Sequence, residues 1–264
     1  MQSFNDAKLG FLNRIHSADE ARQTIQAARK AGFKDIGIDL IYGLPGETES
    51  IWLSDLEEAL QYSPEHISCY MLSYEPDTPM FAAYKRKEIS PLEEESVSSL
   101  FRLTSNHLVS RGFSHYEISN FAVGQEYQSR HNKKYWEMIP YLGFGPSAHS
   151  YDGKLERSWN IKDVDHYISI LQKSKLPVGE RELLTNEQNL MEMIMLGLRT
   201  DMGIDIESFE RRSGGQFHIM FERVLEQIYK RVWGETRDGK FRLTLEGRLF
   251  MDTITKWFVE VISL

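Results

Sequence analysis

One carboxylate interrupts an otherwise apolar stretch of the chain. Segment 36–46, IGIDLIYGLPG, predicts a buried strand that ends in a tight turn, because Gly43, Pro45 and Gly46 follow it. A pattern that is apolar on both faces is typical of a parallel strand covered on both sides. A carboxylate there is costly unless it is paired or meets a ligand, and ligands bind at the C-terminal ends of parallel strands. Asp39 therefore either contacts a ligand or caps a neighbouring loop.

A second set of residues able to do chemistry lies in segment 122–160. It contains HNKKYW at 131–136 and YLGFGPSAHS at 141–150. A loop of this length and aromatic content usually serves a function. Gly143, Gly145 and Pro146 are turn formers that let the backbone approach another group closely. We expect a functional loop here, with only short elements of secondary structure.

The composition limits the classes to which the chain can belong. Of 264 residues, 41% are hydrophobic and 27% are charged, an ordinary balance for one large globular domain or two smaller ones. The net charge of −8 argues against general nucleic-acid binding. The single cysteine, Cys69, excludes an internal disulfide and suits a reducing compartment. With no apolar run long enough to span a bilayer and no signal-peptide pattern, we expect a cytoplasmic protein.

Helices and strands alternate around Asp39. Helices are predicted over 5–12, over 17–31 with a Ser17–Glu20 capping box, and from Thr48 to Pro64, with strands over 36–42 and 66–74. This order implies a parallel sheet with right-handed crossovers. Two parallel strands alone would leave one edge open. Further predictions are a helix over 78–88, a long helix beginning at Pro91, and a strand over 115–121 that extends the sheet.

The C-terminal third has a different pattern. Helical spacing covers 163–172, 185–198, 206–212, 217–232 and 244–258. Between the last two helices, segment 234–243 predicts a two-stranded wing that turns at Asp238–Gly239. These elements predict a winged-helix-like domain with a boundary near 175–185.

The ordered set of motifs resembles one family. Gln2-Ser-Phe-Asn-Asp, Arg14, DLIYGLP at 39–45, HNKKYW and YLGFGPSAHS are similar to the second half of radical S-adenosylmethionine proteins of the oxygen-independent coproporphyrinogen III oxidase-like family. HNxxYW resembles the HemW-type haem chaperones rather than the decarboxylating oxidases. The resemblance implies an α/β fold with a barrel remnant over 1–90, a mixed α/β extension over 91–180 and a winged-helix-like domain over 181–264.

The resemblance also implies ligand-binding residues. Gln2, Arg14 and Asp39 would contact S-adenosylmethionine: an amide can donate and accept hydrogen bonds, a guanidinium can pair with the methionyl carboxylate, and a carboxylate can accept from ribose hydroxyls. Alternatively, Arg14 could be a surface residue at a helix end, and Gln2 could belong to a flexible N-terminus.

Haem is the second ligand implied. His131 would bind the haem iron, with Asn132, Tyr135 and Trp136 alongside it, because a neutral imidazole suits haem iron and aromatic rings can stack on a porphyrin. His149 is a weaker candidate. Alternatively, Tyr135 and Trp136 are core aromatics and His131 bonds to the backbone.

The CxxxCxxC motif that holds the family's [4Fe–4S] cluster does not occur in this sequence. Cys69 alone cannot hold the cluster. The resemblance therefore predicts the C-terminal part of a longer protein, without reductive cleavage of S-adenosylmethionine by this chain alone. The full-length form would bind the cluster, S-adenosylmethionine and haem, and deliver haem to acceptor apoproteins, membrane-associated ones included. The open barrel edge predicts self-association.

Two other functions remain open at this point. One is a fragment of a coproporphyrinogen III oxidase, an enzyme of porphyrin biosynthesis, which would bind porphyrinogen in place of haem. The other is a transcriptional regulator that uses the winged helix. Residues 185–264 contain 11 Lys or Arg and 13 Asp or Glu, which is a poor surface for phosphate.

Overall fold

The computed structural model describes residues 1–263 and divides into two compact units, Met1–Gln128 and the part from Ser129 onward. The three segments predicted from the sequence remain a prediction; the predicted extension 91–180 contributes to both units. The fold is mixed α/β, as predicted. None of the helices in the described part of the chain is long and apolar enough to cross a membrane.

The N-terminal unit contains five helices and four strands. They are α1 (Asp6–Phe11), α2 (Ala18–Lys30), β1 (Gly37–Tyr42), α3 (Glu49–Gln61), β2 (His66–Met71), α4 (Pro79–Lys85), α5 (Glu94–Ser110), β3 (Ser114–Glu117) and β4 (Asn120–Ala122), followed by a 3₁₀ turn at Gln125–Tyr127. The side chains of Asn5, Ser17, Thr48 and Thr78 cap α1 to α4. Such caps satisfy N–H groups that the helix itself leaves unpaired.

One mixed sheet connects these strands in the order β1-β2-β4-β3. β1 and β2 are parallel, as predicted, whereas β4 is antiparallel to both β2 and β3. The single strand predicted over 115–121 is a hairpin, because Ile118 and Ser119 form a turn that opposes Glu117 to Asn120. The long helix begins at Glu94, after Pro91, and no side chain caps it.

The two faces of β1 differ. Ile38, Leu40 and Tyr42 are buried, and the Tyr42 ring lies 5.3 Å from that of Trp52 on α3. Gly37 and Asp39 on the opposite face are exposed. The expectation that both faces of this strand are covered is therefore wrong for the described chain.

The outer edge of β1 is partly paired. The N–H of Ile41 donates to the main-chain oxygen of Gln2 at 2.9 Å, so the chain at Gln2 runs beside the strand. This contact covers one point of an edge that the sequence predicts to be open.

The second unit contains eight helices and six strands among its described residues. They are α6 (Arg130–Trp136), β5 (His149–Tyr151), β6 (Glu156–Asn160), α7 (Val164–Gln172), β7 (Val178–Leu183), α8 (Asn186–Arg199), β8 (Ile204–Asp205), α9 (Ile206–Ser213), α10 (Phe217–Met220), α11 (Glu222–Lys230), β9 (Gly234–Arg237), β10 (Lys240–Leu243), α12 (Leu245–Leu249) and α13 (Met251–Ile262). The antiparallel sheet β5-β6-β7 is absent from the sequence prediction.

A phenylalanine cluster forms the core of the C-terminal half of this unit. Phe209, Phe217, Phe221, Phe241 and Phe258 are all fully buried. The wing is present as β9 and β10, and Asp238 and Gly239 have φ values of 52° and 72° at its turn. The helices predicted over 217–232 and 244–258 are each broken, at Phe221 and Phe250.

Candidate functional site

The three residues predicted to contact S-adenosylmethionine lie in the N-terminal unit. Asp39 is exposed on β1 and stands opposite Ser68 of β2. Gln2 is half-buried beside Ile41, two residues along the strand from Asp39. Arg14 is exposed after α1, and no hydrogen bond or ion pair joins it to Gln2 or Asp39 within residues 1–263. The structure therefore places Gln2 beside the strand that carries Asp39, and does not join Arg14 to either residue among the described residues.

Asp39 influences two titratable neighbours. Burial raises the pKa of the Cys69 thiol well above its usual value, and the charge of Asp39 adds to this effect. Burial lowers the pKa of His66, while Asp39 and Asp35 oppose that change.

An iron–sulfur cluster does not fit these residues. Cys69 stands opposite Leu40 on the buried face of the sheet, and its raised pKa favours the thiol over the thiolate that binds iron. Within the described chain no group of three or more His, Cys, Asp or Glu side chains could hold a metal ion. Of the implied S-adenosylmethionine contacts, Asp39 and Arg14 are exposed and Gln2 is half-buried.

A buried charge network stands behind the turn that ends β1, and the sequence interpretation missed it. We call it the Lys8 network. Lys8 Nζ donates to Glu47 Oε1 at 2.5 Å and to Asp55 Oδ2 at 2.6 Å, and all three side chains are less than a tenth exposed. Asp55 also accepts from Ser3 Oγ at 2.7 Å and from Phe4 N at 2.8 Å.

The Lys8 network fixes the Gly43–Pro45 turn. Glu47 Oε2 accepts from the N–H groups of Gly43 at 2.5 Å and Leu44 at 3.3 Å. The turn is thereby tied to α1 and α3. The signal for this in the sequence is Asp55, a charged residue between Trp52 and Leu56 on the buried face of a helix.

In the second unit, α6 positions the residues of HNKKYW. The predicted loop is a helix here, capped by Ser129, whose hydroxyl accepts from Asn132 N at 3.4 Å. His131, Lys134 and Tyr135 are three and four residues apart and therefore share a face. The Tyr135 hydroxyl lies 3.2 Å from His131 Nε2, and the two rings meet edge to face.

The YLGFG segment is held rigidly opposite this helix. Asn160 Nδ2 donates to the carbonyl oxygens of Gly143 at 3.1 Å and Gly145 at 3.0 Å. The N–H of Gly143 donates to Ser150 Oγ and that of Gly145 to the Tyr167 hydroxyl. Gly143 is required because a Cβ there would overlap the carbonyl oxygen of His149. Gly145 has a φ of 105°, which favours glycine.

Together these two motifs line one open cavity of about 670 Å³, which we call the His131 cavity. Its lining residues are His131, Lys134, Tyr135, Tyr141, Leu142, Gly143, Phe144, Ser147, Ala148 and His149. The side chains of Leu142 and Phe144 are 77% and 86% exposed, although their backbone is held by hydrogen bonds. Aromatic rings surround the cavity. The centroids of the Tyr135 and Tyr141 rings are 4.7 Å apart, and the His149 ring stacks on that of Trp159.

The predicted haem residues differ in their relation to this cavity. His131, Tyr135 and the weaker candidate His149 line it, whereas Asn132 and Trp136 are half-buried and are not among its lining residues. Lys134, Tyr141, Leu142 and Phe144 are lining residues that the interpretation did not single out. The spacing of Lys134 from His131 on a helix was the available signal.

The titratable side chains that line the cavity are basic ones, Lys134 and two histidines, together with tyrosines. Burial, aided by nearby Tyr135, raises the pKa of Tyr141, which keeps that phenol neutral. None of the lining residues is an Asp or Glu. Aromatic walls, two imidazoles and a lysine can accept a flat, largely apolar ligand and offer nitrogen to a metal at its centre.

Comparisons with known proteins show which sequences and folds the chain is similar to. Residues 184–250 match the HemN C-terminal domain family. The chain is 30% identical over 250 residues to the heme chaperone HemW of Bacillus subtilis, which covers 94% of this chain and 65% of that protein. It is 31% identical over 267 residues to HemW of Haemophilus influenzae, covering 98% and 66%.

A mitochondrial relative and a solved structure extend the comparison. Radical S-adenosyl methionine domain-containing protein 1 of Danio rerio is 30% identical over 271 residues, covering 96% of this chain and 59% of that protein. Coproporphyrinogen III oxidase (HemN) from Escherichia coli, described as a radical SAM enzyme, has the same fold at a TM-score of 0.71 and 21% identity, covering 98% and 62%. The chain thus spans about three fifths to two thirds of the length of these proteins.

Proposed function

The chain belongs to the HemW-type family of radical S-adenosylmethionine proteins, and from this premise we propose that it binds haem in the His131 cavity, with His131 as the iron ligand. The observation that supports this most strongly is that HNKKYW and YLGFGPSAHS, which the sequence analysis assigns to one functional loop, line the same cavity. Its volume of about 670 Å³ is within the range of small-molecule and cofactor sites.

The side chains around the cavity suit the parts of haem. Haem iron accepts an imidazole nitrogen. His131 is exposed, and its contact with the Tyr135 hydroxyl at 3.2 Å is long enough to be replaced. Leu142, Phe144 and Tyr141 offer apolar and aromatic surface to the macrocycle. Holding the Gly143–Gly145 backbone in advance reduces the ordering cost of binding.

The test is an absorption titration of the chain with ferric haem. We expect saturable binding with a shifted Soret band. His131→Ala should weaken binding about tenfold or more, the effect of losing a strong contact, whereas His166→Ala, an exposed histidine outside the cavity, should leave it within about twofold. Equal binding by His131→Ala and the parent chain would contradict the proposal.

In the complete protein, we propose that haem passes from this cavity to acceptor apoproteins in the cytoplasm, including membrane-associated ones. The exposure of Leu142 and Phe144 supports a site from which a ligand can leave. Transfer of haem from the loaded chain to an apoprotein of higher affinity, followed by the change in absorption, tests this. Haem that stays on the loaded chain throughout would count against delivery.

We further propose that S-adenosylmethionine contacts Gln2, Arg14 and Asp39 in the complete protein. The exposed Asp39 beside Gln2 supports this placement, and the exposed Arg14 side chain, which has no ion pair within residues 1–263, is available for a carboxylate. Calorimetric titration of S-adenosylmethionine into the chain and into Asp39→Asn tests the assignment. If the chain and Asp39→Asn bind S-adenosylmethionine with equal affinity, Asp39 does not contact it.

Porphyrinogen remains the alternative ligand, because HemN shares the fold. At 21% identity that likeness concerns the fold alone. Competition between haem and coproporphyrinogen for the cavity under reducing conditions distinguishes the two. A regulator is less well supported, since residues 184–250 match the HemN C-terminal domain, and salt-dependent binding to duplex DNA would revive it.

A further inference from the structure

One lysine in the His131 cavity has no ion-pair partner within residues 1–263. Lys134 is exposed, lines the cavity and makes no ion pair in the part of the chain that the structure describes. Its neighbour Lys133 lies 3.7 Å from Glu137 on the same helix. The two lysines are adjacent in sequence and nevertheless differ: one faces the cavity and one pairs along α6.

The surroundings of Lys134 leave its charge uncompensated. The cavity is lined without a single Asp or Glu, although the whole chain has 39 acidic and 31 basic residues. A lysine therefore lines a site bounded by imidazole, phenol and apolar groups. A ligand that brings its own negative charge would complete this arrangement.

The geometry of α6 relates this cation to the candidate iron ligand. Lys134 is three residues from His131, so both lie on one face, less than one helical turn apart. A flat ligand whose centre is held by His131 therefore places its edge near the ammonium group. An ionised carboxylate is the group on that edge that a lysine would pair with.

We propose that Lys134 pairs with an ionised carboxylate on the edge of the ligand, so that the cavity selects tetrapyrroles with free acid groups over their neutral esters. The proposal rests on the proposed function, since it concerns the same cavity. It adds the part of the ligand that is recognised and the residue that recognises it.

The experiment compares two probes on three proteins. Ferric haem has free propionates, and haem dimethyl ester has the same macrocycle with those acids neutralised. Each is titrated, in the same mild detergent, into the parent chain, Lys134→Ala and the matched control Lys133→Ala. We expect Lys134→Ala to weaken haem binding about fivefold, the effect of a partly exposed ion pair, and less so at high salt.

Binding of the ester distinguishes the loss of an ion pair with Lys134 from the loss of its packing against the macrocycle. Lys134→Ala should bind the ester as well as the parent chain does, and Lys133→Ala should match the parent chain for both probes. If Lys134→Ala weakens haem and ester equally, or weakens neither, the pairing is overturned while haem binding stands. If neither probe binds the parent chain, the proposed function fails and this inference fails with it.

Discussion

The Lys8 network and the His131 cavity both place charged or titratable groups close together, but they satisfy those groups in opposite ways. In the Lys8 network, Lys8, Glu47 and Asp55 are buried and paired with one another, with Ser3 and with backbone N–H groups. In the His131 cavity, His131 and Lys134 are exposed, and the ammonium group has no protein partner among the described residues. Side chains that are fully paired inside the protein hold it together, whereas those left unpaired at a cavity are available to a ligand.

The largest expected effect is the loss of stability when the Lys8 network is broken. Lys8→Met should lower the free energy of unfolding by about 3–5 kcal/mol, because two buried carboxylates lose their shared cation. Chemical denaturation measures this. The matched control is Arg22→Ala, whose pair with Glu58 is 32% and 24% exposed, and which should cost under about 1 kcal/mol. A smaller loss of unfolding free energy for Lys8→Met than for Arg22→Ala would show that the Lys8 network does not stabilise the fold.

The next effect concerns the wall of the His131 cavity. Gly143→Ala should weaken haem binding severalfold and destabilise the chain by about 1–3 kcal/mol, since its Cβ would overlap the His149 carbonyl and displace the segment. Haem titration and denaturation measure the two quantities. Gly179→Ala, whose Cβ would make ordinary contacts of 3.4 Å or more, is the control and should be close to neutral. Unchanged haem binding by Gly143→Ala would show that the segment does not shape the site.

The smallest expected effect is a pH dependence of stability that comes from His66 in the N-terminal unit. Burial lowers the pKa of His66, so the unfolded chain takes up a proton at a higher pH than the folded chain does. Stability should therefore fall as the pH drops through the ordinary histidine value of about 6.5. His66→Gln, which can still bond to the Tyr116 hydroxyl, should lose this part of the pH dependence. Thermal midpoints of both proteins across this range measure it, and parallel curves would contradict the assignment.

Local signals predicted much of the fold correctly. The Ser17–Glu20 capping box predicts the start of α2 correctly, because a cap bonds only to residues within the first helical turn. The wing turn at Asp238–Gly239 is also local. Where a helix start depended on Pro91, the prediction was wrong, since α5 begins at Glu94.

Features that depend on distant residues could not be predicted from the pattern. The sheet β5-β6-β7 pairs residues across a helix, and neither the half-buried β6 nor the mostly exposed β7 shows a clear alternation of buried and exposed residues. Lys8 meets Glu47 and Asp55 from 39 and 47 residues away. The sequence predicts one functional loop that contains both cavity motifs, but not that they line one cavity with Lys134, because the bonds from Asn160 to Gly143 and Gly145 leave no local signal.

The most direct test of the central claim is chemical rescue of the iron ligand. His131→Gly is loaded with ferric haem, separated from free haem by gel filtration, and examined by absorption before and after adding imidazole. The account predicts an altered Soret band that returns to that of the parent chain when imidazole is added, because the added base replaces the missing side chain. A variant whose spectrum already equals that of the parent chain without imidazole would contradict the assignment of His131 as the haem ligand.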